Sequence, residues 1–336
     1  MWRRMVLLSL LGLGWPLGSA WAQSPQAAGW VSVLQSSGSL RAEIIAGRIV
    51  LYGPPGGQAR GIMVGTPDSR NRQSLIIQPQ SADESLVVEY EAVDGENEYH
   101  LLWSGERGLT LSREAALVGG AKQRIVYTQP VAGDVSLSFG SAPHETISAA
   151  SLWHLLLTPP YDCRDYLSPL LEALRHDWQA AILARDLEDA LFAAAPSDIR
   201  AGQQLWRKLV DELRSDHFQR RQAADHRLQS AGYAVVPFLK QLDRRGLAIE
   251  QQRRIQSICA SLEHPLSDTP ERAAAWLLAD KPLWAALLAH PRLAQRQVAA
   301  RQLSLLCDGQ IAFDSEAEPD VRQAQQATIA RRLQAR

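Results

Sequence analysis

The chain has 336 residues, 46% of them hydrophobic, and its 35 Lys and Arg face 36 Asp and Glu for a formal charge of −1. The apolar fraction is that of a globular protein and excludes wholesale disorder. The charge balance excludes the electrostatic attraction on which nucleic-acid binding or membrane-surface binding relies, and the length suits two or three domains of roughly 100–200 residues.

Residues 1–22 read as a signal peptide. Arg3 and Arg4 make a positive start, Met5 to Leu13 are apolar around one Ser, and Pro16 and Gly18 break the helix. Ala20-Trp21-Ala22 then places small residues where a signal peptidase reads them, which predicts a mature N-terminus at Gln23. The apolar stretch is shorter than the about 20 residues of a membrane span, so an uncleaved anchor is the weaker reading. No Cys follows the cleavage site, against a lipoprotein, and the Arg pair is compatible with twin-arginine as well as general export. After cleavage the charge is −4 over residues 23–150, −3 over 151–214 and +4 over 215–336. Solvated helix faces account for the asymmetry more simply than an attraction between the ends.

Residues 23–146 read as a β-rich domain. Leu86, Val88, Tyr90 and Ala92 alternate with polar or outward positions, and so do Tyr99, Leu101 and Trp103, then Leu109 and Leu111, then Val135, Leu137 and Phe139. A period of two puts these side chains on one face of a sheet. Gly53-Pro54-Pro55-Gly56-Gly57, Asp94-Gly95 and Gly119-Gly120 supply turns. Eight to ten short strands with no helical period between them predict an antiparallel sandwich or a curved sheet.

From Ile147 to Trp153 the period changes, and apolar residues then recur at three and four. Residues 147–214 read as a helical connecting region, with Leu167, Leu170, Leu171, Leu174 and Trp178 as one stripe and Leu205, Leu209 and Leu213 as another. Residues 215–336 read as a helical domain. Pro159-Pro160, Pro196-Ser197 and His264 to Asp268 interrupt the helices, and Thr269-Pro270-Glu271 is a helix start with a hydroxyl cap. The helices are short and apolar along one side, so they must stack to bury it.

A degenerate repeat runs through the last third. Arg221, Ala224 and Leu228 share the spacing of Arg296, Ala299 and Leu303, and Arg272, Ala275 and Ala279 echo it. The first copy continues through Gly232 into Val235-Val236-Pro237-Phe238-Leu239. This resembles a HEAT-type helical hairpin over about residues 215–307, which implies a stack with small Ala at the close approaches and Arg221 and Arg296 on outer faces. Leu152-Trp153-His154-Leu155-Leu156-Leu157 with Cys163-Arg164, and the stretch Trp284 to Asp314, are similar to segments of uncharacterised bacterial exported proteins with a C-terminal HEAT-like region. The resemblance implies no catalytic residues.

The chemistry-bearing residues do not assemble into a motif. There is no Gly-x-Ser-x-Gly elbow or Ser-x-x-Lys pair, no His-x-x-x-His, no Cys-x-x-Cys and no calcium-loop spacing. The glycine clusters lack the strand-glycine-helix context of a phosphate loop. His154 reads as a core histidine satisfied by backbone, and His176-Asp177 and Asp225-His226, adjacent on helices, point about 100° apart. Glu89 and Glu91 share a strand face at about 7 Å, wider than the roughly 5–5.5 Å of a retaining glycosidase pair. Cys163, Cys259 and Cys307 are an odd set, with Cys259 and Cys307 expected in the core or bridged to each other. Of the tryptophans past the leader, Trp30, Trp103, Trp153, Trp178, Trp206, Trp276 and Trp284, most are expected in cores.

The expectation is therefore an exported, periplasmic or envelope α+β protein: an N-terminal antiparallel β-sandwich-like domain followed by an α-helical HEAT-like stack. It has no catalytic, cofactor-binding or metal residues, no nucleic-acid partner and no stable membrane span after cleavage. Its helical surface is expected to meet a protein partner. The alternative is a β-domain that binds an envelope glycan or small ligand, with the helices as scaffold.

Overall fold

The structure, a computed structural model, describes residues 33–334 apart from 37, 39, 55–58, 67–68, 80–85, 117–121, 141–144, 196–198, 233–234, 243, 263–266, 308 and 310. The expected leader with its cleavage site, Trp30, the Gly119-Gly120 turn and the Pro196-Ser197 break lie outside the described residues. Ser32–Arg336 forms one compact unit of α+β class, a sheet region followed by helices.

A four-residue helix α1 (Val33–Ser36) precedes a hairpin of β1 (Arg41–Ile45) and β2 (Arg48–Tyr52). Eight further strands form a second sheet: β3 (Arg60–Val64), β4 (Asn71–Pro79), β5 (Leu86–Asp94), β6 (Asn97–Ser104), β7 (Gly108–Ala116), β8 (Lys122–Gln129), β9 (Val135–Gly140) and β10 (Glu145–Ala149). Each pairs antiparallel with its sequence neighbours, a plain meander. The register sets Tyr90 opposite Leu101, Leu101 opposite Leu111, Leu111 opposite Tyr127 and Tyr127 opposite Leu137, so the alternating residues form one continuous apolar face. Asp94-Gly95 makes the β5–β6 turn, with Gly95 at φ +59°.

All eight meander strands lie in one sheet, and helices supply much of the layer opposite its apolar face. Helix α3 (Cys163–Leu174) packs on β7, β8 and β9, where Tyr166 stacks on Phe139 at 4.3 Å. Helix α1 sits over β4 and the hairpin over the end of β8. A buried glutamine fastens each. Gln73 Oε1 accepts from Val33 N at 2.7 Å and Tyr90 OH at 3.0 Å, and Gln129 Oε1 accepts from Ile49 N at 2.8 Å and Tyr127 OH at 3.0 Å. Gln129 Nε2 returns a bond to Ile49 O at 2.9 Å, so the buried amide loses no partner to the apolar layer around it.

Helices α2 (Leu152–Leu157) and α4 (Ala180–Ala194) flank α3, whose stripe of Leu167, Leu170, Leu171 and Leu174 is buried, with Trp178 in the turn beyond. Next come α5 (Ile199–Glu212), α6 (Phe218–Ser230), α7 (Val235–Gln241) and α8 (Ile249–Leu262), with their own core of Leu209, Leu213, Ala224, Leu228, Val235, Leu239, Ile255 and Ile258. The chain then returns through α9 (Pro270–Leu277), which packs directly on α4, to α10 (Lys281–Leu287), α11 (Leu293–Leu306) and α12 (Pro319–Gln334). The α5–α8 bundle is thus an excursion between two helices that touch each other. Thr269 caps α9 by accepting from Arg272 N.

Several expectations change. Leu205 is exposed, because the α5 stripe continues inward through Leu209, Val210 and Leu213 instead. In α9 the buried residues are Ala273, Ala274 and Leu277, shifted from the Ala275 and Ala279 of the repeat. All three cysteines are free, Cys259 and Cys307 included, and Cys307 is only half-buried. Trp153, Trp178 and Trp284 are buried, while Trp103, Trp206 and Trp276 are half-buried.

Candidate functional site

A set of buried and half-buried polar side chains lies where α9 and α10 meet the hairpin, α2 and α4. It is built around three carboxylates. Asp268, just before α9, accepts from Ala46 N at 3.0 Å and Gly47 N at 2.7 Å, the two turn residues of the β1–β2 hairpin, and from Trp153 Nε1 at 2.7 Å. Both turn residues have positive φ, which points consecutive N–H groups to one side where a carboxylate can take both. Burial raises the Asp268 carboxyl above its ordinary 3.8, and these three bonds only partly offset it.

The second carboxylate closes a serine–histidine–aspartate chain. Ser151 Oγ lies 2.8 Å from His154 Nδ1, and His154 Nε2 lies 3.0 Å from Asp280 Oδ2. Asp280 also caps α10, accepting from Leu283 N at 2.8 Å. Burial pushes its carboxyl up, but the His154 hydrogen bond and charge and the Leu283 N–H outweigh it and hold the group below 3.8. The connectivity is that of a nucleophile with base and orienting acid. Access is not: Ser151 is 4% exposed, and a Cβ built on Gly47 would fall 2.6 Å from its Oγ, so hairpin backbone covers the hydroxyl where a substrate carbonyl would stand. His154 is satisfied by these two side chains and not by backbone as expected.

The third carboxylate is Glu188 on α4. Its Oε1 lies 3.1 Å from Nε2 of His290, which follows α10, and its Oε2 lies 3.9 Å from Arg164 Nη2. His290 Nδ1 accepts from Arg292 N at 3.1 Å, so that nitrogen is bare and Nε2 carries the proton donated to Glu188. That hydrogen bond is the main reason the Glu188 carboxyl stays below its ordinary 4.5, against the pull of burial. Tyr161 OH is buried without a hydrogen-bond partner, and burial drives that phenol up to about 12. Short α10 is therefore bracketed by a His–carboxylate pair at each end, joining it to α2 and α4.

The residues weighed in the sequence fall elsewhere. Glu89 and Glu91 are exposed on the outer face of β5. Asp225 binds Arg254 at 3.1 Å while His226 meets Ser230, and Asp177 binds Arg175, so neither His–Asp neighbour forms a pair. Cys163 is buried, donates to Leu155 O at 3.1 Å, and has its thiol raised to about 11 by burial, which leaves it unreactive as a nucleophile. Sequence reasoning missed Ser151, Asp280, Glu188 and His290. Separations of 126 and 102 residues leave no spacing signal to read.

Outside this seam, large apolar side chains stand in solvent on the α5–α8 excursion: Phe218 at 59%, Ile249 at 73% and Leu205 at 42% exposure. Residues 215–262 hold 8 basic against 4 acidic residues, which accounts for the whole positive excess of the last third. Arg220, Arg227 and Arg253 are exposed there. Among the described residues no helix is long and apolar enough to cross a membrane. The chain matches no protein-family model, no curated protein and no solved structure.

Proposed function

We propose that the chain is an exported, non-catalytic interaction protein, with the helical region as its HEAT-like partner surface and the sheet region as the frame that holds it. The observation that carries this reading is the α5–α8 excursion, a small bundle with its own core that leaves Phe218, Ile249 and Leu205 exposed and also carries exposed Arg220, Arg227 and Arg253. Exposed large apolar residues together with exposed cations on one small bundle are the composition of an interface. The seam supports the non-catalytic part, because its serine is covered and its carboxylates are engaged in holding elements together. The favoured partner is a protein with an apolar patch fringed by carboxylates.

A photo-crosslinking residue placed in turn at Phe218, Ile249 and, as control, Val131 on the sheet region tests this in envelope extract. The expected result is one discrete adduct shared by the two bundle positions and absent at Val131. Equal labelling at all three, or none at the bundle, overturns it. The alternative, glycan binding by the β-domain with its two sheets acting as a sandwich-like platform, has less support because Trp103, the described tryptophan in the strands, packs in phase with Leu101. Tryptophan fluorescence that saturates during a glycan titration would favour it.

A further inference from the structure

A groove of 640 Å³ runs between α10 and α12, and none of the roles above uses it. Pro282, Ala285 and Ala286 form one wall, and Ala327, Ala330 and Leu333 form the other. Its volume falls within the roughly 300–1,000 Å³ of small-molecule sites. Gln326 crosses between the walls, with its Nε2 donating to Ala285 O at 3.0 Å and Ala286 O at 3.1 Å, and Gln323 is the other uncharged polar residue of the lining. Proline, four alanines and a leucine make the rest of the walls apolar, so an occupant that is apolar along most of its length fits them. Alanine at four lining positions keeps the slot open, where larger side chains would close it. The charged residue lining the groove is Lys281, whose side chain is exposed and has no carboxylate partner among the described residues. An ammonium in that position favours an anion and repels a cation.

We propose that the α10–α12 groove binds a single-chain aliphatic carboxylate, with the chain along the alanine walls and the head group at Lys281. This site is independent of the partner surface on the bundle, and its failure would leave that reading untouched. Isothermal titration of the full chain with dodecanoate, decanoate and dodecyltrimethylammonium, each below its micelle concentration, tests it. Saturable one-to-one binding of dodecanoate is expected, roughly tenfold tighter than decanoate from two further buried methylenes. The cationic probe should bind much more weakly. Lys281→Gln should weaken dodecanoate roughly fivefold, the size of one partly solvent-screened charged contact. Ala330→Phe, which fills the slot, should abolish binding while the circular dichroism spectrum stays unchanged. No saturable binding, equal affinity for the cationic probe, or an Ala330→Phe chain that is folded and binds as before would each overturn the proposal.

Discussion

Replacing Arg296 separates two accounts of the helical region. On the sequence alone its side chain belongs on an outer face, and Arg296→Gln should cost about 0–1 kcal/mol, the range of exposed charge pairs. In the structure Arg296 is 7% exposed, and its guanidinium donates to three carbonyls: His290 O at 2.9 Å, Pro291 O at 2.8 Å and Ser315 O at 3.0 Å. These bonds join the start of α11 to the turn after α10 and to the segment before α12. Hydrogen bonds from a charged donor contribute about 1.5–3 kcal/mol each, and Gln can replace at most one or two of them. The relief from no longer burying a charge offsets part of the loss, leaving a net cost of about 2–4 kcal/mol. At roughly 2–4 °C per kcal/mol for a chain this large, with the low end weighted for size, Tm should fall by about 4–8 °C. Ala299→Leu, an overpacking change at a fully buried site, should cost about 1–3 kcal/mol. Arg221, half-buried and bonded to Ser215 O and Asp216 O, should fall below both. Arg296→Lys should be intermediate, since an ammonium cannot span all three carbonyls. Melts of the full chain followed at 222 nm and by tryptophan fluorescence give the ranking. A fall of less than about 1 °C for Arg296→Gln, or a wild-type melt for Arg296→Lys, would refute the carbonyl-binding role.

Asp268→Ala leaves the Ala46, Gly47 and Trp153 donors without their acceptor and should lower stability by about 2 kcal/mol, with faster amide exchange at Gly47 than elsewhere in the hairpin. Glu188→Gln should destabilise the protein at neutral pH and converge with wild type in acid. The Glu188 carboxyl is held below 4.5 in the fold, so its contribution is complete above 4.5 and disappears as pH falls through the lower folded value, which urea titrations across that range will show. Asp268 has the opposite sign: its raised value makes its contribution largest below 3.8 and smaller as pH rises through the folded value, so Asp268→Ala should cost relatively more in acid than Glu188→Gln does. Gly47→Ala should be among the most damaging single changes, because φ is +70° and the new Cβ would meet Ser151 Oγ and Cβ at 2.6 and 2.7 Å. A fluorophosphonate probe should leave Ser151 unlabelled in the native chain; labelling there would show that the hairpin opens and that the serine is available for chemistry.

The strands were legible because their signal is local. Period-two runs such as Leu86 to Ala92 require only that one face be apolar, which is a local property. The Thr269 cap and the buried Leu stripe of α3 were legible for the same reason. What the sequence did not reveal was the layer that covers the sheet, since an alternating strand is equally content beneath a second sheet or beneath helix α3. The excursion was hidden too. Contact between α4 and α9 spans the whole bundle, and no periodicity reports that two helices so far apart in the chain are neighbours. The seam was the least legible part, because apart from the Ser151–His154 pair its single polar residues meet partners 102 to 222 positions away.

The arginines of the repeat show how a correct pattern can carry a wrong expectation. Two of them, Arg221 and Arg296, together with Arg322 outside the repeat, are each the fourth residue of a helix, and each donates to carbonyls five or six positions back, in the turn that leads into that helix. A side chain at that position lies over the preceding turn and can reach carbonyls that precede the helix and have no partner within it. The spacing Arg-x-x-Ala therefore has a local cause: Arg secures the approach to the helix, and Ala one turn on lets the neighbouring helix close. Such arginines belong to the fold and are unavailable to a ligand. Removing them from the charge count leaves Arg220, Arg227 and Arg253 as the exposed positive groups of α6 and α8, the helices that also carry the exposed Phe218 and Ile249. A test of partner binding therefore belongs on the exposed residues of the bundle, whereas a test of stability belongs at the buried arginines.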